Sequence, residues 1–427
     1  MMKKLTTTLL FTFFCLGFIQ AQAPQLSDDY LRVDARGDDP LFTTYTAAME
    51  RARMYGDRGY KMVYYNDGEP IRYTSDKAGS FYNIWLVNDV AVTNVGEFQQ
   101  EPVVKASFPD MALLEYMPYD GVKVKETFFV YSSRIALVDM QVTNTSNRTL
   151  EVTLFPVFEL GNKNLKILDF NEEHGGYITR RYETKQRLIS NLGDSYPYPE
   201  NYRECLTASF EPYSYGGYMG SRESFYDTIK TDHYAENKYD DTLNMARGGT
   251  VDFVTLHEKD SLKPGETKSF RYLRGVQAME EDMESMLDEM EALKTESLQP
   301  YLDDNEALFR GIPRIDFATP QEKTVYLGAL NLVRGCMLPP TGETSYNWYS
   351  FSREPLWGWG HGHQVLHESL SMMAYVYLDP ESARESQRIY IEQQGEDGLI
   401  AYRHGPRGPQ TYPHKGEPTT SAPFYSW

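Results

Sequence analysis

The chain has 427 residues and a formal net charge of -19, with 41% hydrophobic, 24% charged and 14% aromatic residues. At roughly 150 residues per domain, that length suggests two or three domains and excludes a small stapled module, while the composition excludes a disordered chain. The acidic balance, 61 Asp and Glu against 42 Lys and Arg, argues against nucleic acid as a partner, because such binding draws on cationic side chains that neutralise phosphates.

The first 21 residues read as an export signal. Met1-Met2-Lys3-Lys4 is a basic start, Leu9 to Ile19 is an apolar run, and Ala21-Gln22-Ala23 offers small residues for cleavage. A secreted or periplasmic location is expected. Past the signal, no apolar run approaches the 18 or so residues of a membrane span. Cys15 leaves with the signal; Cys205 and Cys336 remain, too few for a disulfide framework, and Cys336 in its apolar helical run reads as a small core residue.

From residue 25 to about 275 the pattern predicts only strands. The runs are Ile84–Val87, Val90–Val95, Val122–Val130, Arg134–Thr143, Leu150–Phe158 and Val251–Leu256. The clearest pair, Ala136–Val142 and Glu151–Phe155, reads as a hairpin closed by the polar Asn144–Arg148 turn. That turn also holds two glycosylation patterns, at Asn144 and Asn147, which suit a turn better than an attachment site. The Tyr-rich stretch from Tyr196 to Tyr218 reads either as a long loop or as an edge-strand connection. A large β-sandwich is the economical architecture.

At Ala278 the period changes. Met279, Met283, Met286, Met290 and Leu293 fall at helical spacing with acids on the opposite face, and predict a linker helix. A second helix is expected over 319–337, with Thr319 as N-cap, Pro320 at its first position and Pro339-Pro340 as its stop. Two more are expected, from about Gln364 to Leu378 and from Pro380 to Gln394.

Between the second and third of these helices lies the densest chemistry, from Tyr346 to Gln364. Three of the five Trp and three of the eight His fall there or just beyond. Trp357 and Trp359 can present flat ring faces to a ligand, while Gly358, Gly360 and Gly362 let backbone approach it. The other reading is that these aromatics plug a helical core. His361, His363 and His367 share a spacing seen at zinc sites. The Glu after His367 is out of the zincin order and no Cys or Asp completes the set, so no metal or other cofactor is expected.

These residues resemble a family. Trp357-Gly-Trp359-Gly-His361-Gly-His363 before a helix, Asp379-Pro380-Glu-Ser-Ala-Arg into a second, and Gln393-Gln394-x-x-Asp397-Gly398-Leu399-Ile400 are similar to the first hairpins of six-hairpin glycosidases, in particular family 63-type α-glucosidases. The segment Glu417–Trp427 is similar to the loop that runs into their next inner helix. The resemblance implies a multidomain β-then-α chain. Its parts would be a signal peptide over 1–21, a β-supersandwich over 22–277, a helical linker over 278–318 and the N-terminal part of an (α/α)6 barrel over 319–427.

It also implies hydrolysis of a glycosidic bond with inversion, on an α-linked oligosaccharide or polysaccharide. One departure stands out: relatives carry their general acid, an Asp, where this chain has Gly360. Inverting hydrolysis needs one carboxylic acid to protonate the leaving oxygen and one carboxylate to activate water. Glu354, Glu368, Asp397 and Glu417 are the substitutes within reach, Glu354 first and Glu417 second, and His361 titrates near neutrality and could also donate. Sugar contacts are expected from Trp348, Arg353, Trp357, Trp359, His363, Tyr402 and Arg403.

Two other functions remain open. A polysaccharide lyase acting on uronate polymers would use His361, Tyr402, Arg403 and His404, although such lyases usually place the helical toroid first. A non-catalytic glycan-binding protein would suit Gly360. Twelve barrel helices with their loops need roughly 190 residues, more than 319–427 supplies. The expectation is therefore an N-terminal fragment, inactive if its catalytic base lies beyond Trp427.

Overall fold

The computed structural model describes residues 22–53, 59–75, 79–159, 165–182, 201–231, 252–350, 363–411 and 413–420. The expected export signal lies outside them. Sixteen strands form the N-terminal part: β1 (Thr44–Tyr45), β2 (Tyr60–Val63), β3 (Arg72–Ser75), β4 (Gly79–Val87), β5 (Val90–Val92), β6 (Gln100–Ser107), β7 (Met111–Tyr119), β8 (Val122–Val130), β9 (Ile135–Asn144), β10 (Leu150–Glu159), β11 (Leu165–Asn171), β12 (Gly176–Tyr182), β13 (Asn201–Ala208), β14 (Ser214–Tyr218), β15 (Phe253–Leu262) and β16 (Thr267–Ala278). They build two eight-stranded antiparallel sheets, one in the order β1-β2-β3-β4-β10-β15-β14 with β5 on β4, the other β11-β12-β13-β16-β9-β8-β7-β6.

The sheets face each other across an aromatic interior. Tyr73 of the first stacks on Phe128 of the second with centroids 3.9 Å apart, and Phe81 meets Tyr272 edge-on. Several charged groups inside are paired, as burial demands: the Glu126 carboxylate accepts from the Tyr73 and Tyr116 hydroxyls, Arg274 bonds Glu204 and Arg271 bonds Asp139.

Two expectations change here, and one open alternative is resolved. The strands read as a hairpin exist, but they do not pair: β9 lies between β8 and β16, whereas β10 lies between β4 and β15 in the other sheet. Residues 145–149 cross the sandwich, a gap of about 10 Å. Asn144 holds the corner, its Nδ2 donating to Arg148 O at 2.7 Å and Leu262 O at 2.8 Å, so this fully buried side chain is a turn anchor. The run predicted as strands alone also contains a helix, α1 (Arg222–Thr231), which seats Phe225 and Ile229 against Tyr82, Phe155 and Phe253. The end of the Tyr-rich stretch is an edge strand, β14, paired with β15.

Helices follow β16. Helix α2 (Met283–Leu293) starts where Asp282 accepts from Glu284 N, so Met279 lies ahead of it; Met286, Leu287, Met290 and Leu293 form its buried stripe. Helix α3 (Gln299–Leu308) precedes α4 (Pro320–Gly335), whose Thr319 hydroxyl accepts from Glu322 N with Pro320 at the first position. Then come α5 (Val365–Tyr375) and α6 (Pro380–Glu392), the latter capped by Asp379. Among the described residues, α4, α5 and α6 pack in succession and do not close a ring. The helical part is bound to the sandwich by Asn305 Nδ2 on α3, donating to Asp110 Oδ1 at 2.7 Å, and Asn331 Nδ2 on α4, donating to Ser107 O at 2.9 Å. Cys205 and Cys336 are buried and form no disulfide.

Candidate functional site

Two short ladders bring the ends of the aromatic loop to the helices. Strand β17 (Met337–Leu338) pairs with β18 (Trp348–Tyr349), where the loop begins, and β19 (His363–Gln364) pairs with β20 (Arg403–His404), where it ends. Between them, residues 351–362 lie outside the described residues, and with them Arg353, Glu354, Trp357, Trp359, Gly360 and His361. The side chain of His363 is outside them as well.

The remaining expected residues fall in two groups. Trp348, read as a sugar contact, is fully buried, and its Nε1 donates to Pro339 O at 3.0 Å. Its ring packs in the protein core, because the β17–β18 ladder turns it inward. Glu417 is exposed in a tight turn closed by backbone bonds with His414, and its carboxylate makes no bond to another described residue. Asp397 Oδ1 accepts from Leu399 N at 2.9 Å, closing a turn.

Tyr402 and Arg403 come close to the loop's end. The Tyr402 hydroxyl donates to Gln364 Oε1 at 3.2 Å, and Arg403, buried, pairs through its backbone with Gln364 and Gln410. His404 follows, its ring edge-on to Tyr390 at 4.7 Å and its Nε2 3.1 Å from Ala401 O. Burial pushes the His404 imidazole down to about 4, so it is neutral at physiological pH.

Gln364 is also the N-cap of α5, and Glu368 lies four residues on, so the two occupy one face of the first helical turns. Glu368 is fully buried. Gln387 Nε2, on α6, donates to its Oε2 at 2.6 Å, while Oε1 has no hydrogen bond among the described residues. Burial raises the carboxyl from 4.5 to about 8, a push that hydrogen bonds from Ser386 and Gln387 only partly offset. Glu368 is thus a neutral carboxylic acid at pH 7, able to give up a proton. Its helical offset from Gln364 was readable in the chain; Gln387 and Ser386, which meet it from another helix, carried no motif. Among the described residues, no group of three or more His, Cys, Asp or Glu is placed to hold a metal, and no helix is long and apolar enough to cross a membrane.

No family model and no curated protein sequence matches the chain. It is similar to several solved structures. A human-microbiome protein designated a kojibiose phosphorylase overlaps 85% of this chain and 47% of its own length, at 8% identity and a TM-score of 0.44. An Escherichia coli protein designated an aldose 1-epimerase overlaps 56% of this chain and 99% of its own length, at 11% identity and a TM-score of 0.30. The heparan sulfate lyase HepC from Pedobacter heparinus overlaps 43% of this chain and 22% of its own length, at 7% identity and a TM-score of 0.24. The chain therefore spans about half the length of the first of these.

Proposed function

We propose that the protein is an exported carbohydrate-active enzyme that hydrolyses glycosidic bonds in α-linked oligosaccharides. The observation that carries the reading is the fully buried Glu368 carboxyl, its Oε1 without a hydrogen bond among the described residues and its proton favoured by burial, on the helix that the Trp- and Gly-rich loop leads into. Glycoside hydrolysis starts with proton transfer to the leaving oxygen, and an acid near neutrality is matched to that step. Glu368 takes that role here in preference to Glu417, and stands beside Glu354 as a candidate where relatives of the resembled family have the Asp that Gly360 replaces. Tyr402, whose hydroxyl donates to Gln364, and Arg403 of β20 are the proposed sugar contacts on this side. Trp357 and Trp359 offer rings for a sugar face.

A second reading is favoured by one observation. His404 is a neutral imidazole in sequence with Tyr402 and Arg403, the residue types a lyase uses to neutralise a uronate carboxylate and remove the adjacent proton.

One assay separates the readings. The protein is incubated with neutral α-glucan oligosaccharides and, separately, with uronate polymers. New reducing ends without an ultraviolet chromophore are expected from a protein that also carries the catalytic base, whereas an unsaturated, ultraviolet-absorbing product from the uronates would replace hydrolysis by elimination. Binding without either product would leave a glycan-binding protein. Within an active enzyme, Glu368→Gln should lower kcat by roughly 10²–10⁴-fold with little change in KM. Full activity in that variant, with loss in Glu354→Gln, would transfer the acid role to Glu354.

A further inference from the structure

A second cleft lies where the sandwich meets the helices. It holds about 340 Å³ and is walled by Ala48, Glu50 and Arg51 on the segment before β2, by Asp110 before β7, by Asn305 on α3 and by Arg334 at the end of α4. That volume is at the low end of the roughly 300–1,000 Å³ of small-molecule sites.

Four of the five charged side chains that line it form two pairs. Arg51 Nη2 lies 3.4 Å from Asp110 Oδ2, and Arg334 Nη2 lies 3.5 Å from Glu50 Oε1. An anion site would carry an unopposed guanidinium, which this cleft lacks; Asp304, exposed on the α3 wall, adds one carboxylate with no cationic partner among the described residues. It offers donors and acceptors side by side. The geometry of the donors is built: the Arg51 guanidinium rests over the rings of Tyr301 and Tyr131 at 5.0 and 5.2 Å, its Nε donates to Tyr131 O, and Asn305 holds the other oxygen of the buried Asp110. Arg51 Nη1 makes no hydrogen bond among the described residues. Apolar surface from Ala47, Met49, Pro109 and Leu308 completes the walls.

We infer that this cleft is a second binding site, for a single neutral sugar unit or a short neutral oligosaccharide. Vicinal hydroxyls both accept from a guanidinium and donate to the carboxylate beside it, which matches each Arg–acid pair, and the C–H face of a pyranose matches the apolar wall. The inference takes its ligand class from the proposed carbohydrate reading, but it involves no bond cleavage. Glu368 is not among the residues that line the cleft.

The test is a titration of the protein with D-glucose, D-galactose, D-mannose and maltose, followed by ligand-observed NMR. At least one is expected to bind saturably in the millimolar range or tighter. Ala48→Phe, which fills the mouth from a half-buried position without touching the polar pairs, should weaken that binding at least tenfold. Glu50→Ala, at an exposed acid, should weaken it severalfold, which covers the case in which Ala48→Phe does not fold. Trp359→Ala, in the other site, should leave it unchanged. Sulfate, glucuronate and spermidine should not displace the sugar. Absence of saturable binding by all four sugars, equal affinity in both cleft variants, or displacement by one of the ions would overturn the inference. A chain that cleaves nothing yet binds sugar in this cleft would remove the proposed hydrolysis and leave the second site standing.

Discussion

Glu368 shows how burial alone can equip a carboxyl with a proton. It sits in the first turn of α5, where the helix N-terminus favours the charged form, yet desolvation wins and the group rises to about 8. The consequence for stability has a definite sign. Between 4.5 and about 8 the folded chain holds a proton that the unfolded chain has lost, so stability falls as pH rises through that window, by up to about 1.4 kcal/mol per unit. Glu368→Gln removes the titration while keeping the shape. Thermal melts of the two proteins should agree near pH 5, and the variant should melt several degrees higher near pH 8.5. Parallel melting curves across that range would mean that the carboxyl is already ionised in the fold. Only part of this was legible in the chain. Glu368 could be named as one of four acids within reach, but what sets it apart is a closed environment supplied by Gln387 and Ser386 from α6, and no spacing along a chain reports a tertiary neighbour.

At the scale of elements, close approach between β16 and α2 gives the sharpest prediction. A Cβ at Gly275 would lie 2.6 Å from Met290 Sδ and 3.0 Å from Met286 Cε. Gly275→Ala should cost about 1–3 kcal/mol, toward the lower figure because thioether tails can yield. Combined with Met290→Ala, it should cost less than the two single losses added, since the second change makes the room the first one needs. Urea denaturation of the four proteins checks it, and additive costs would show that the contact is not the constraint.

The same elements show which parts of the fold are written in local pattern. Val122–Val130 is a strand as read, and Thr319-Pro320 starts a helix as read, because alternation and capping are local signals. Pairing is not local. Nearly every position of β9 and β10 is buried, so neither has a solvent face to specify its partner, and the chain crosses to the other sheet at Asn144. Helix α1 was missed for a related reason: its apolar residues, Phe225, Tyr226 and Ile229, include the β-favouring types that dominate the surrounding strands.

Across the whole molecule, sandwich and helices share one core. The apolar cluster that contains Trp85 and Phe128 continues through Phe108, which meets Phe309 edge-on at 5.6 Å, to Leu302, Leu327, Trp348 and Ile389. Asn305 and Asn331 add hydrogen bonds across the same seam. Parts joined in this way gain from each other's folding, so they should unfold in one step. Hydrogen exchange in rising urea reads this directly: amides of β9 and α4 should converge on one opening free energy. Phe309→Ala removes the ring at the seam, a loss of about 3–5 kcal/mol by the usual cost of emptying an aromatic core position. In that variant the α4 amides should open well below those of β9, while β9 keeps its own protection once the helices have detached. If α4 already exchanges far below β9 in the unaltered protein, the seam does not couple them, and the second sugar cleft, whose walls come from both sides of it, would lose the rigid frame that its paired charges require.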